Sequence, residues 1–172
     1  MKYFLIYLFI FILFFLSTRT ARANVYVADE SAVLKSSRFV PKDSRVEKLE
    51  TFLLSHNSPL AKYSDKFVEV ADKYNIDWRL IPAITGVEST FGKRIPQSSY
   101  NAYGWANGKY RFSSWDESIE VVGKTLREKY YNKGTPTINL IARRYAPPSS
   151  TWAGNVKYFM AKIDEYPVYF SL

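Results

Sequence analysis

Leu60, Tyr63, Phe67, Val70 and Tyr74 recur every three or four residues, the period of one face of an α-helix. The period then returns along the chain, each time bracketed by capping chemistry. Val46, Leu49 and Leu53 share a face within residues 44–54, with Ser44 as the expected cap. Ser58-Pro59 is a cap followed by proline at the first helical position, and Asn75 is a left-handed stop for the helix between them. Asp77 caps a third helix that ends near Glu88, with Pro82 expected to kink or tighten its first turn. Ser114 with Glu117 three residues later is a capping box. It opens a helix to about Tyr131 whose apolar face is Trp115, Ile119, Val122, Leu126 and Tyr130, and which Gly134 and Pro136 end. A short helix covers residues 138–144. Ser150 caps a last one, with Trp152, Val156, Phe159 and Ile163 inward.

Residues 89–115 break this rhythm. They are rich in serine, glycine and aromatics, and Asn107-Gly108 is a hairpin turn signal between two aromatic flanks. The expected class is therefore α+β, mostly α, with five to six helices and one small inserted β-hairpin.

The N-terminus is of another kind. Lys2 precedes an apolar run over residues 3–16, the chain turns polar at residues 17–20, and Ala21-Arg22-Ala23 is a small-x-small cleavage signal. This is the order of a secretory signal peptide, so residues 1–23 are expected to be removed. A run of 14 apolar residues is short for a spanning helix, which needs roughly 20, although an uncleaved anchor is the alternative reading. Residues 24–43, polar and aperiodic, read as a flexible leader, leaving residues 44–172 as one domain. Beyond residue 23 the 24 Lys and Arg fall to 21 against 16 Asp and Glu, a net +5. That balance suits an anionic envelope polymer. Nucleic acid fits the sign of the charge, but export argues against it. The absence of cysteine excludes disulfides, thiolate metal sites and a cysteine nucleophile. His56 has no ligand-spaced partner, so neither metal nor cofactor is implied.

Glu88 is the residue that invites chemistry. Leu80, Ile84 and Glu88 are spaced four and four, which sets a carboxylate on the apolar face of its helix. It also lies at the helix C-terminal end, where the macrodipole is negative. Desolvation and dipole both disfavour the ionised form. A carboxylic acid still protonated near neutrality can donate to the leaving oxygen of a glycosidic bond. The competing reading is a helix-end carboxylate paired with Lys93 or Arg94. Tyr100, Tyr103, Trp105, Tyr110, Phe112 and Trp115 fall within sixteen residues, and aromatic faces stack on sugar rings. Asn101 and Asn107 add amides suited to sugar hydroxyls or acetamido groups, with turn chemistry the competing role for Asn107. Between Glu88 and Asp116 there is no further acid. With one acid, the substrate's acetamido group assists, or a sugar hydroxyl attacks internally and leaves an anhydro product. Tyr145, between Arg143-Arg144 and Ala146-Pro147-Pro148, is a phenol on a rigid loop that could bond an acetamido carbonyl or orient Glu88; core packing is the alternative.

Four segments in order carry a resemblance. Residues 83–92, ending Glu88-Ser89-Thr90-Phe91-Gly92, resemble the helix-end Glu-Ser segment of lysozyme-like glucosaminidases and lytic transglycosylases. Tyr100-Asn101-Ala102-Tyr103-Gly104-Trp105 resembles their Asn-x-aromatic-Gly segment, residues 111–119 the strand end that meets a capped helix, and Tyr145-Ala146 their Tyr-Ala pair. Together the chain is similar to the mannosyl-glycoprotein endo-β-N-acetylglucosaminidase-like (peptidoglycan glucosaminidase) domain. The resemblance implies a lysozyme-like fold, Glu88 as general acid and Tyr145 as a cleft tyrosine. The candidate substrate-binding residues are Ser89, Tyr100, Asn101, Tyr103 and Trp105. The implied substrate is the β-1,4-linked N-acetylglucosamine and N-acetylmuramic acid of peptidoglycan. The chain departs from the pattern in its short middle lobe, which lacks the second acid. The expectation is an extracytoplasmic, monomeric glycoside hydrolase or lytic transglycosylase acting on peptidoglycan strands. A non-catalytic glycan-binding module on a degenerate lysozyme fold is the alternative.

Overall fold

The structure is a computed structural model and describes residues 43–134 and 137–167. The expected signal peptide and nearly all of the leader lie outside the described residues. No helix among the described residues is long and apolar enough to cross a membrane.

Six α-helices carry the fold: α1 (Ser44–Ser55), α2 (Ser64–Tyr74), α3 (Leu80–Ser89), α4 (Trp115–Thr125), α5 (Ile138–Tyr145) and α6 (Trp152–Asp164). The periodic stripes become one core, with Leu49, Leu53, Phe67, Val70, Ile119, Val122, Ile141, Val156 and Ile163 all buried. α3 is the hub. It packs chiefly on α6 and also meets α4, while α1 and α2 pair with each other and α2 lies against α4. Leu80 through Gly86 are buried without interruption, so α3 is covered on all sides rather than on one stripe. Pro82 falls in its first turn, where no intrahelical bond is lost, so the expected disturbance does not arise. Where α2 crosses α4, a Cβ on Gly123 would lie 2.3 Å from Val70 Cγ1, so only glycine permits this approach.

The caps follow sequence chemistry with small shifts. Asp43, one residue before Ser44, accepts from the Arg45 N–H at 2.9 Å and caps α1. Residues 58–63 form turns and a 3₁₀ segment, so α2 starts at Ser64 rather than beside Pro59. Asn75 does stop α2 in a left-handed conformation, φ 48°. Ser114 Oγ accepts from the Glu117 N–H at 3.0 Å, and the Glu117 carboxylate returns to Ser113 N and Oγ. α4 continues into a π-helical turn, Leu126–Tyr130, and a 3₁₀ turn, Tyr131–Lys133, ended by left-handed Gly134. α6 follows Thr151, which makes no side-chain cap bond; the hydroxyl that reaches the helix start is that of Ser149, accepting from the Trp152 N–H at 3.1 Å, and not that of Ser150.

The β-hairpin is absent: the described residues contain no strand. The chain does reverse at Asn107-Gly108, with Ala106, Asn107 and Gly108 all left-handed. The side chain of Asn101 organises the loop in place of a ladder. Its Nδ2 donates to the carbonyls of Trp105 (2.9 Å) and Tyr110 (3.1 Å), and its Oδ1 accepts from the Trp105 N–H (3.1 Å). The Tyr110 N–H also donates to the Trp105 carbonyl across the turn at 3.3 Å, but no further backbone pair extends it into a ladder. The molecule is mostly helical, with a coil lobe where the hairpin was expected.

Candidate active site

α3 ends at Ser89, and Thr90 and Phe91 reverse the chain in left-handed conformations, the Phe91 N–H donating to the Thr85 carbonyl at 2.9 Å. The helix is buried from Leu80 to Gly86, and where its last turn emerges Glu88 stands. Its side chain is half-buried beside a cleft of about 700 Å³. One wall is residues 103–107, the other residues 145–148, and Thr125 and Tyr130 add to the lining.

The Glu88 carboxyl has one hydrogen-bond partner among the described residues: Trp152 Nε1 donates to Oε1 at 2.7 Å. Burial pushes its pKa above the ordinary value, and the indole N–H works the other way by favouring the ionised form. Lys93 and Arg94 do not pair with it; the Lys93 ammonium goes to the His56 carbonyl instead. Oε2 looks toward Gly104. A Cβ there would sit 2.5 Å from Oε2, and Gly104 has φ +73°. Steric room and backbone conformation thus both require glycine at this position.

Tyr145 lines the cleft, but its hydroxyl is already engaged. It donates to the Tyr103 carbonyl at 2.7 Å and accepts from Trp105 Nε1 at 3.2 Å. Its ring stacks on Trp152, centroids 5.0 Å apart and planes at 27°. Burial, followed by the nearby Glu88 charge, holds this phenol well above its usual pKa, so it stays protonated. Tyr145 consequently fixes the two walls together, and the group that orients Glu88 is Trp152. An inward apolar position in α6 was all that sequence periodicity offered for Trp152. Only the packing of α6 on α3 reveals its second use.

The expected sugar-binding residues divide. Trp105 and the backbone of the Tyr103-Gly104 segment line the cleft. The Tyr103 ring does not serve there; it is wholly buried, with its hydroxyl 3.3 Å from Ser118 Oγ, and burial pushes its pKa up. Ser89 is corrected to a structural role. It is buried, its hydroxyl hydrogen is shared between the carbonyls of Thr85 (3.0 Å) and Ala102 (2.9 Å), and its oxygen accepts from the Gly92 N–H. Asn101 is spent on the loop described above. Tyr100 lies outside the cleft and packs edge-on against Trp115, at 5.3 Å and 81°. Most of the aromatic density in residues 100–115 is therefore packing that replaces sheet structure. Asn107 does reach the lining, alongside Tyr130 and the Pro147-Pro148 ridge.

Among the described residues no second carboxylate joins the cleft. Asp116 is exposed in the first turn of α4, and Glu117 is held by Ser113. Among the described residues no cluster of three or more His, Asp or Glu side chains is placed to hold a metal ion. Comparison of the chain with protein-family models, with characterised proteins and with solved structures finds no match in any of the three.

Proposed function

We propose that this protein is a lysozyme-like glycosidase that cleaves β-1,4 bonds in peptidoglycan strands, with Glu88 as general acid. One observation carries the reading: a carboxyl whose pKa burial raises, with no cationic partner among the described residues, opening on a cleft lined by Trp105, Tyr130, Tyr145 and Asn107. That is the arrangement glycosidic cleavage asks of its acid. Trp152 bonds Oε1, which leaves Oε2 to carry the proton. In the reaction Oε2 gives that proton to the leaving glycosidic oxygen as its bond to the anomeric carbon breaks. The resulting carboxylate then recovers a proton from the incoming hydroxyl, of water or of the sugar itself. With no opposing carboxylate in the lining, the positive charge at the anomeric carbon falls to the substrate's own acetamido oxygen. Extracytoplasmic action rests on the N-terminal segment, and the role would be wall remodelling, daughter-cell separation or autolysis.

The test is purified protein on isolated sacculi with Glu88→Gln beside it. Loss of the acid should reduce glycan release by about 10²–10⁴-fold. Equal release by both proteins would remove the assignment. Mass analysis of the products separates hydrolysis, which leaves a reducing end, from internal attack, which leaves an anhydro end. The absence of a second acid favours one other reading, a non-catalytic glycan-binding module, which would retain strands on both proteins and release nothing from either.

A further inference from the structure

Glu88 aside, every acid of the described chain lies in residues 43–77, 116–128 or 164–165. The two stretches that build the cleft walls have none: residues 89–115 carry four Lys and Arg, and residues 129–163 carry six. Within the second stretch, a separate recess of about 290 Å³ lies beside the cleft, with Pro147 lining both. Asn139 and Arg143, one turn apart on α5, line it with Ser149 and Ser150.

What the recess offers is donors. The Arg143 guanidinium has neither ion pair nor hydrogen bond among the described residues, whereas its neighbour Arg144 donates to the Lys129 carbonyl at 3.2 Å. Lys157 Nζ donates to Asn139 Oδ1 at 2.9 Å, which occupies the amide's acceptor and leaves its N–H groups to give. Ser149 Oγ already accepts from the Trp152 N–H, so its own hydrogen is also available. No carboxylate lines the recess. A planar guanidinium flanked by amide and hydroxyl donors is suited to a carboxylate.

We propose that this recess is an anion subsite that takes a carboxylate borne on the glycan strand, next to the sugar held at Glu88. The inference rests on the glycan-cleft reading and adds a selectivity to it: acidic strands bind over neutral ones of the same linkage. The shared Pro147 ridge supplies the geometry, because a substituent leaving the cleft over that residue meets Arg143.

The test measures binding in protein carrying Glu88→Gln, so that turnover does not intervene. One probe is a neutral β-1,4 N-acetylglucosamine oligomer. The other is purified glycan strand with its lactyl and peptide carboxylates intact and phosphate polymers removed. Adding Arg143→Ala should weaken binding of the carboxylate-bearing strand about tenfold and leave the neutral oligomer unchanged. Lys62→Ala, an equal loss of charge away from the cleft, should change neither. Equal weakening by Lys62→Ala would show general charge attraction and overturn the subsite. Binding of both probes with no effect of Arg143→Ala would overturn the subsite alone. Binding of neither would overturn the cleft reading and the subsite with it. Inorganic phosphate that displaces the acidic strand as effectively as free acetate at equal ionic strength would also count against carboxylate preference.

Discussion

At Glu88 two neighbours set the chemistry through two different oxygens. The indole of Trp152 holds Oε1, and bare Gly104 leaves Oε2 uncovered. Replacing Gly104 with alanine would press a methyl into Oε2 and force a left-handed backbone on a residue that resists it. We expect a stability loss of about 1–2 kcal/mol, read by urea unfolding, and loss of most glycan release. Trp152→Phe keeps the stack on Tyr145 but removes the N–H that favours the carboxylate. The Glu88 pKa then rises further, so the alkaline limb of the pH–rate profile should move to higher pH; a limb that stays put or moves down contradicts the assignment. The same raised pKa makes a stability statement. Because the folded value lies above the ordinary 4.5, the favourable contribution of the protonated acid is complete below that pH and disappears as pH rises through the folded value. Glu88→Gln should therefore melt near wild type in acid and above it at alkaline pH, by differential scanning calorimetry. Spacing alone placed Glu88 on an apolar face, since the four-residue interval is a local property of the helix. Trp152 could not be paired with it from sequence, because 64 residues separate them and only tertiary packing joins them.

Among the elements, the helices were legible because each carries its own period and its own cap. Errors of a residue or two arose where two capping side chains stand together, as Asp43 and Ser44 do, or Ser149 and Ser150. The loop of residues 99–112 was misread for a physical reason. Asn107-Gly108 gives a turn, and one backbone bond crosses it from the Tyr110 N–H to the Trp105 carbonyl, but a hairpin needs further pairs and Asn101 bonds the Tyr110 carbonyl and the Trp105 N–H instead. Asn101→Ala removes three hydrogen bonds and leaves the Tyr110 carbonyl and the Trp105 N–H of that lobe without a partner. We expect a loss of about 2–3 kcal/mol by chemical denaturation, together with weaker glycan retention. The π turn after α4 was invisible for a similar reason, since Leu126 and Tyr130 fit an ordinary helical face.

Across the described residues, one core joins the six helices, and a chain without cysteine has no disulfide to supplement it. The four tryptophans sample it widely: Trp78 precedes α3, Trp105 lies in the coil lobe, Trp115 opens α4 and Trp152 opens α6. Thermal transitions followed by far-ultraviolet dichroism and by tryptophan fluorescence should therefore superimpose. A fluorescence transition preceding the dichroism would show that the lobe of residues 99–112 melts on its own. A fold of this kind is largely written in amphipathic periods. Its cleft is not, because the walls come from segments 40 residues apart in the chain.

Those walls are fastened to each other across the floor by the phenol of Tyr145, which is bolted to Tyr103 on the far side and receives Trp105 from the same side. On the glycan-cleft reading, a strand that enters meets two walls already tied to each other.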